Sequence, residues 1–161
     1  MQKEINIKYE YFSNIRELNN IEKQLFAKAK EIREKAYAPY SEFLVGCALL
    51  LEDGTIVVGN NQENAAYPSG LCAERTAIYW TSANHPNKKI LKIFVVGGSQ
   101  RNEQNADIIT PPCGACRQSI MEYESKQAMD IEIYFASVSG EVYKTNSIKD
   151  LLPFNFDSSY L

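Results

Sequence analysis

This sequence of 161 residues has little excess charge and no long apolar run. Its net charge is −3, whereas a surface that neutralises many phosphates needs clustered positive charge. We therefore expect no nucleic-acid partner. No apolar run approaches the roughly 18 residues of a membrane span, and the polar segment Met1-Gln2-Lys3-Glu4 has no apolar core of an export signal. We expect a soluble, cytoplasmic protein that has no membrane partner.

Residues that bind metals are also scarce, with one histidine and four cysteines. Three of the cysteines nevertheless fall in two short segments, at Cys72 and at Cys113 and Cys116. Two cysteines three residues apart at a helix start share one helix face and have poor geometry for a disulfide. Metal binding therefore explains them better. Cys47 lies in an apolar run and is expected in the core, and His85 is expected at the surface.

Three thiols suit a zinc ion that keeps one position open. A structural zinc site usually has four protein ligands, whereas a catalytic site has three and leaves the fourth position to water or substrate. The pattern predicts zinc bound by Cys72, Cys113 and Cys116. A structural zinc site and a Cys-x-x-Cys redox pair are the alternatives, although the redox pair leaves Cys72 unexplained.

Two further residues of the first cysteine segment have a predicted chemical role. Glu74 follows Cys72 by two residues, so it would lie beside the open metal position and act as an acid and base. Arg75 lies three residues after Cys72 on the same helix face. It can donate to the ligand sulfur and offset the negative charge of three thiolates.

The order of predicted elements indicates an α/β fold. Apolar residues at helical spacing predict an amphipathic helix over Asn20–Lys35. The chain then follows the order β-β-α-β-α-β-β, with a tight hairpin at Asp53-Gly54 and the cysteine segments at the starts of its two helices. This order favours a three-layer α-β-α sandwich with a mixed five-stranded sheet. We expect a single domain over residues 1–161.

Two segments lie outside this pattern. Glu4 to Tyr11 alternates apolar and polar residues, which predicts an extra edge strand or an arm lying on another subunit. Residues 1–17 as a whole form this N-terminal arm and are given no chemical role. Ser99 to Ile109 is expected to be a loop that leads to the second cysteine segment.

Four motifs between about Tyr37 and Phe156 carry a resemblance to a known enzyme family. The chain resembles the small homotetrameric cytidine deaminases, in which a glutamate beside the first zinc ligand is followed by Pro-Cys-x-x-Cys. The motifs are Tyr37-Ala38-Pro39-Tyr40-Ser41-x-Phe43-x-Val45-Gly46, Asn61-Gln62-Glu63-Asn64-Ala65-Ala66-Tyr67, Cys72-Ala73-Glu74-Arg75-Thr76 and Pro112-Cys113-Gly114-Ala115-Cys116-Arg117-Gln118.

The resemblance implies zinc-dependent hydrolytic deamination of cytidine and deoxycytidine to uridine and deoxyuridine in pyrimidine salvage, with release of ammonia. Glu74 would carry a proton from the attacking water to N3 of cytosine and would then help to protonate the leaving amine. Asn61 and Glu63 match positions that bind the ribose hydroxyls. Phe43 matches the aromatic residue that packs against the pyrimidine, and the backbone of Ala73 matches a contact to the base carbonyl.

The same resemblance implies an assembly. Leu151-Leu152-Pro153-Phe154-Asn155-Phe156 matches a segment whose phenylalanine, here Phe156, enters the pocket of a neighbouring subunit. A homotetramer with shared active sites is therefore expected. Pro111 stands where relatives commonly have a small residue, but its family role is that of a backbone carbonyl, which proline retains.

Other functions remain open at this point. Deamination of another cytosine nucleoside, such as blasticidin S, is one alternative, although the segment from Asn61 to Tyr67 favours an ordinary nucleoside. Editing of polynucleotides would call for a basic channel with aromatic stacking platforms, which the acidic composition disfavours. A non-catalytic zinc-binding module would retain zinc but have no need of Glu74.

Overall fold

The computed structural model describes residues 1–100 and 108–161. Its helices and strands follow the predicted order. The strands are β1 (Glu10–Phe12), β2 (Phe43–Leu51), β3 (Ile56–Asn60), β4 (Ile90–Ser99), β5 (Glu132–Ala136) and β6 (Val142–Thr145), and the helices are α1 (Asn20–Arg33), α2 (Ala73–Asn84) and α3 (Gly114–Gln127). Residues 101–107, within the predicted loop from Ser99 to Ile109, lie outside the described residues.

All six strands form one mixed sheet in the order β1-β6-β5-β4-β2-β3. Strands β4 and β5 are parallel, and the other neighbouring pairs are antiparallel. The expected count of five strands was one too few. The reason is that the N-terminal arm pairs within its own chain, with Glu10 opposite Lys144 and Phe12 opposite Val142, so it adds an edge strand beside β6.

Two hydrophobic cores lie on opposite faces of the sheet and confirm the three-layer arrangement. Helix α1 packs on one face, where Phe26 contacts Phe94 edge to face with ring centroids 5.8 Å apart. Helices α2 and α3 bury Ile78 and Ile120 against the other face. Cys47 is fully buried in this second core, as expected. No helix in residues 1–100 and 108–161 is long and apolar enough to cross a membrane.

Helix α1 is fixed at both ends by polar side chains. Asn19 and Glu22 form a capping box at its start, in which each side chain accepts a hydrogen bond from the other residue's backbone. At its end the buried Arg33 donates from Nε to the Leu44 carbonyl at 3.1 Å and from Nη2 to the Gly98 carbonyl at 2.8 Å. This guanidinium therefore fastens α1 to two strands of the sheet.

Two strand glycines let the elements of the site approach the sheet closely. A Cβ atom at Gly59 would lie 2.6 Å from the backbone nitrogen of Ala77, so only glycine allows α2 to pack this near to β3. A Cβ atom at Gly97 would lie 2.7 Å from Cγ2 of Thr110. The segment that precedes α3 therefore lies directly against the end of β4.

Candidate active site

The three clustered cysteines all lie at helix starts. Cys72 is the N-cap residue of α2 and Cys113 is the N-cap residue of α3, and neither side chain caps its own helix. Cys116 lies in the first turn of α3. Unpaired backbone N–H groups at helix starts favour negative charge on nearby groups. The fold therefore gathers the thiols where their anionic forms are stabilised.

The thiol spacing fits a tetrahedral zinc ion. The Sγ atoms of Cys72 and Cys113 are 3.8 Å apart, and those of Cys113 and Cys116 are 3.5 Å apart. All three sulfurs lie within 4.8 Å of one another. Zinc–sulfur bonds of about 2.3 Å at tetrahedral angles put neighbouring sulfurs about 3.8 Å apart. Within residues 1–100 and 108–161, no fourth ligand atom of a His, Cys, Asp or Glu joins this group.

Charge in the cluster is shared unequally between the thiols. The neighbouring Cys116 thiol and then the Arg75 guanidinium lower the pKa of Cys72 to about 5, although burial opposes them. The Cys72 thiolate and burial raise the pKa of Cys116 well above its usual range. Three thiolates at this spacing repel one another, so a cation is needed to hold all three deprotonated.

Arg75 supplies part of that positive charge. Its Nη2 atom donates to Sγ of Cys72 at 3.7 Å, which places the guanidinium beside the cluster as the sequence predicted. Its Nε–H is buried and has no hydrogen-bond partner within the described part of the chain. The Arg75 guanidinium thus retains one buried donor that is not used within the described residues.

Glu74 is almost completely buried beside the thiols, with 3% of its surface exposed. Burial is the main cause that raises the pKa of Glu74 to about 7, and the negative charge of Cys72 acts in the same direction. A carboxyl group with a pKa near neutrality can both accept and donate a proton under physiological conditions. A nearby metal cation would lower this pKa again.

A cavity of about 340 Å³ opens onto Glu74 and the thiols. Phe43, at the start of β2, and Pro111 line it. The lining residues are Ser41, Phe43, Val45, Asn61, Glu63, Cys72, Glu74, Thr110, Pro111 and Cys113. The cavity therefore combines an apolar wall with a buried carboxyl group and two thiols, which suits a flat polar ring.

Asn61 and Glu63 line the cavity, but each side chain also holds the backbone around it. Asn61 accepts from the Val45 N–H at 2.8 Å and donates to the Phe43 carbonyl at 2.9 Å. Glu63 accepts from the Tyr40 N–H at 2.9 Å and from the Ser41 hydroxyl. The Ser41 hydroxyl is the main cause that lowers the pKa of Glu63. Both side chains are therefore preorganised by the scaffold.

The two remaining predicted contacts, Ala73 and Phe156, are not among the residues that line the cavity. Ala73 is fully buried at the first position of α2 and offers only its backbone there. Phe156 is 56% exposed and stacks on Tyr160, with ring centroids 5.3 Å apart. Phe156 does not line the cavity that contains Glu74 within the same chain.

The sequence left open whether the Arg117 side chain contacts the protein or points to solvent. Its Nε donates to the Pro112 carbonyl at 2.9 Å, and its Nη1 donates to the Leu151 carbonyl at 2.8 Å. The guanidinium thus joins the start of α3 to the C-terminal segment that carries Phe156. The position of Arg117 beside Cys116 in the sequence does not predict this connecting role. Both acceptors are backbone carbonyls that come close to Arg117 only when the chain folds.

Comparison with known proteins identifies the family. Residues 19–130 match the model of the cytidine and deoxycytidylate deaminase zinc-binding region. The chain belongs to the cytidine and deoxycytidylate deaminase family. Zinc is accordingly its cofactor, and the three-cysteine cluster fits that ion.

Individual relatives agree with this assignment. The chain is 37% identical to the cytidine deaminase of Halalkalibacterium halodurans over 129 residues, which cover 80% of this chain and 89% of that protein. It is 39% identical to the cytidine deaminase of Sporosarcina psychrophila over 138 residues, which cover 86% of this chain and 93% of that protein. The deaminase is thus related to both proteins over most of their length.

A solved structure extends the likeness to the fold. The crystal structure of cytidine deaminase from Burkholderia pseudomallei superposes with a TM-score of 0.71 at 40% sequence identity. The match covers 98% of that chain but only 83% of this one. The deaminase described here therefore contains additional chain, and its N-terminal arm precedes the residues matched by the family model.

Proposed function

We propose that this protein deaminates free cytidine and deoxycytidine by hydrolysis, giving uridine and deoxyuridine with release of ammonia. The observation that carries this proposal is the buried Glu74 carboxyl, with 3% of its surface exposed, in a cavity that also holds thiols spaced for zinc. Relatives of the chain are named cytidine deaminases. The net charge of −3 further supports a free nucleoside over a nucleic acid.

Cys72, Cys113 and Cys116 would hold the zinc ion, and Arg75 would moderate their charge. When bound there, zinc supplies Lewis acidity that makes a water molecule an effective nucleophile near neutral pH. The hydrogen bond from Arg75 to Cys72 withdraws electron density from a thiolate. This contact offsets the net negative charge of a site with three thiolates.

Glu74 would move the protons of the reaction. The carboxylate accepts a proton from the attacking water and delivers it to N3 of the cytosine ring. Addition of the water oxygen at C4 gives a tetrahedral carbon that bears a hydroxyl group. Glu74 then transfers the proton of this hydroxyl to the amine, so that the C–N bond breaks, the C4 carbonyl forms and ammonia leaves. The near-neutral pKa that burial gives to Glu74 supports both directions of transfer.

Substrate orientation would come from the cavity walls. Phe43 packs against the pyrimidine face, and the Ala73 backbone meets the base carbonyl. Asn61 and Glu63 bind ribose hydroxyls with the hydrogen-bonding capacity that the scaffold leaves free. Asn61 retains one N–H donor, and a carboxylate accepts about four hydrogen bonds, of which Glu63 uses three in the folded chain.

The whole chain acts as one domain, which its continuous sheet of six strands supports. It works in the cytoplasm, where reduced thiols persist, and all four cysteines are free. It assembles as a homotetramer in which Phe156 completes the site of a neighbouring copy. The exposure of this ring and its absence from the lining of the cavity in its own chain support that arrangement.

The experiment that tests the proposed reaction is a spectrophotometric assay with three separate substrates, namely cytidine, deoxycytidine and blasticidin S. Zinc is quantified on the same sample. We expect conversion of the first two substrates and about one zinc ion per chain. The variant Cys113→Ala serves as the metal control and should lose both zinc and activity.

Other outcomes of this assay would redirect the assignment. Conversion of blasticidin S alone would replace the ordinary nucleosides by the antibiotic as substrate. Retained zinc with no conversion of any substrate would leave a non-catalytic zinc-binding module. An unchanged zinc content in Cys113→Ala would remove Cys113 from the ligand set.

A further inference from the structure

The N-terminal arm extends past the strand with which it pairs. Glu10 lies opposite Lys144, and β6 ends one residue later at Thr145. Tyr9 would lie opposite that last residue, so residues 3–8 continue beyond the strand that would pair with them. In residues 1–100 and 108–161, none of the backbone hydrogen bonds outside helices and strands involves residues 1–9.

This segment carries an exposed apolar face. Ile5 is 56% exposed, Ile7 is 48% exposed and Tyr9 is 62% exposed. These alternate residues continue the row formed by Tyr9 and Tyr11, whose ring centroids lie 5.3 Å and 5.4 Å from that of Tyr143. Tyr9 and Tyr11, at the C-terminal end of this row, therefore pack against Tyr143, whereas the side chains of Ile5 and Ile7 remain exposed.

The arm also lacks the devices that usually protect an edge strand. Segments with exposed edges are commonly blunted by proline, by bulges or by a surplus of lysine. Residues 3–11 contain no proline or glycine, and their two lysines are balanced by two glutamates. Alternating isoleucine and tyrosine favours extended backbone. The outer edge of this segment is therefore suited to pair with another strand.

We infer that the arms of two copies of this chain pair with each other as antiparallel strands centred on Asn6. In that register Glu4 of one copy lies opposite Lys8 of the other, and the reverse pair forms by symmetry. Ile5 likewise lies opposite Ile7. The arm is therefore self-complementary in both charge and apolar surface, as a two-fold contact between identical copies requires.

Registers centred on Ile7, on Lys8 or between two residues are less favourable. Centring the pair on Ile7 places Glu4 opposite Glu10, and centring it on Lys8 places two lysines opposite each other; like charges in direct opposition destabilise a strand pair. A centre between two residues would put the apolar row of one arm against the polar row of the other, because a one-residue shift reverses the faces.

The contact would join two sheets edge to edge. Each arm keeps its own pairing with β6 through Glu10–Phe12 and uses its opposite edge for the second copy. A strand pair of this length is smaller than a standard stable interface, so it acts by adding to other contacts between copies or at high protein concentration. It does not involve the cavity that contains Glu74.

The first test is disulfide trapping with the variant Asn6→Cys. Directly opposed residues in an antiparallel pair have Cα atoms about 4.5–5.5 Å apart, which suits a disulfide. The matched control is Lys3→Cys, because two copies of residue 3 would lie about 20 Å apart in this register. We expect mild oxidation to give a covalent dimer on non-reducing gels with Asn6→Cys, well above the unmodified protein and the control.

The second test reverses the paired charges. Glu4→Lys and Lys8→Glu each place like charges opposite each other, so each should weaken association by roughly tenfold in sedimentation measurements. The double variant restores opposite charges and should recover association. Deaminase activity is measured on every sample, so failure of the proposed reaction is seen separately from failure of the arm contact.

Two outcomes would overturn the arm pairing. One is equal trapping of Asn6→Cys and Lys3→Cys. The other is association that the double charge reversal does not restore, which would mean that the arm lies on a different surface of the second copy.

Discussion

At the residue scale, burial determines the chemistry available to Glu74. On an exposed helix surface this carboxyl group would remain ionised at neutral pH. Its place at the second position of α2, against the sheet, removes water from it and raises its pKa to about 7. The same helix start brings Cys72 next to it, so a buried carboxyl group and a thiol lie side by side.

We predict that Glu74→Gln retains zinc and fold but lowers kcat by at least about 10²-fold, because glutamine keeps the shape and cannot carry a proton. Steady-state kinetics with zinc analysis would measure this. Glu122→Gln, at an exposed position of α3, is the matched control and should behave as the unmodified protein. Near-normal turnover in Glu74→Gln would show that the carboxyl group takes no part in the reaction.

A second group of buried charges lies on the α1 face of the sheet. The fully buried Tyr134 has its hydroxyl 2.7 Å from Glu22 and 2.6 Å from Glu132, and Lys92 pairs with both carboxylates. Burial raises the pKa of both carboxyl groups, but the hydrogen bonds from Tyr134 and the hydrogen bonds and charge of Lys92 outweigh it. The net pKa of each is lowered.

These lowered values predict acid sensitivity. A carboxyl group with a lower pKa in the folded state stabilises the fold above its ordinary value of 4.5 and loses that contribution as the pH falls through the folded value. Tyr134→Phe removes the hydroxyl hydrogen bonds that help to lower the two carboxyl pKa values. The free energy of unfolding of this variant should therefore fall less steeply than that of the unmodified protein as the pH is lowered below about 4.5. Denaturant unfolding at several pH values would measure this.

The control for that experiment is Tyr123→Phe. Tyr123 lies on α3, which packs on the opposite face of the sheet from Tyr134. Loss of the Tyr123 hydroxyl should not change how steeply the free energy of unfolding falls with decreasing pH. Equal steepness in the unmodified protein and Tyr134→Phe would mean that the tyrosine hydroxyl does not set the carboxyl pKa values.

At the element scale, one carboxylate fixes where α3 meets the C-terminal segment. Glu124 is 2% exposed and accepts from the Ile131 N–H at 2.9 Å, the Ile148 N–H at 3.1 Å and the Ser147 hydroxyl at 2.6 Å. These donors belong to the chain just before β5 and to the turn after β6. Helix α3, which has Cys113 and Cys116 at its start, is thereby anchored near its C-terminal end.

We predict that Glu124→Ala lowers the free energy of unfolding by about 2–4 kcal/mol, because it leaves buried donors without an acceptor. Chemical denaturation monitored by circular dichroism would measure the change. Glu122→Ala, on the exposed side of the same helix, should change stability by less than about 0.5 kcal/mol. Similar losses in both variants would indicate a general effect on α3 instead of these hydrogen bonds.

At the scale of the whole molecule, the C-terminal segment is held but its aromatic side chain is left exposed. Gln118 donates to the Phe156 carbonyl at 2.8 Å, and Arg117 holds the Leu151 carbonyl. The backbone is thus attached to α3, beside the thiols, while the Phe156 ring lies outside the cavity of its own chain. This geometry favours use of the ring by a neighbouring copy.

If active sites are shared, two damaged variants should complement each other. Phe156→Ala lacks the contributed ring, and Glu74→Gln lacks the acid–base group. Mixed oligomers contain sites with an intact Glu74 from one copy and an intact Phe156 from the other, so refolding the two variants together should give at least about threefold more activity than their separate sum. Cytidine turnover after mixing and subunit exchange would measure it.

Each variant refolded alone is the control for this mixture. Activity equal to the sum of the separate variants, with subunit exchange demonstrated by mass, would show that Phe156 does not act across copies. The comparison is informative because neither variant alters the predicted zinc ligands.

Local sequence patterns were enough to predict the layered α/β fold and the grouping of the thiols. A nearly continuous apolar run located β2, apolar residues at helical spacing located α1, and Pro-Cys-Gly-Ala-Cys marked the start of α3, because these signals depend on near neighbours along the chain. The spacing from Cys72 to Glu74 was likewise local. These features could be predicted since the physical cause lies within a few residues.

Which polar groups became buried partners depended on contacts between residues that are far apart along the chain. Arg33, Arg117 and Glu124 reach backbone groups far away in sequence, and no local pattern distinguishes them from solvated charges on a helix. The sequence predicted either an edge strand or an arm lying on another subunit at the N-terminus, and the fold decided for the edge strand, because pairing of Glu10 with Lys144 depends on where β6 lies. The pKa of Glu74 also required the fold, since desolvation is a property of the packed environment and not of the residue type.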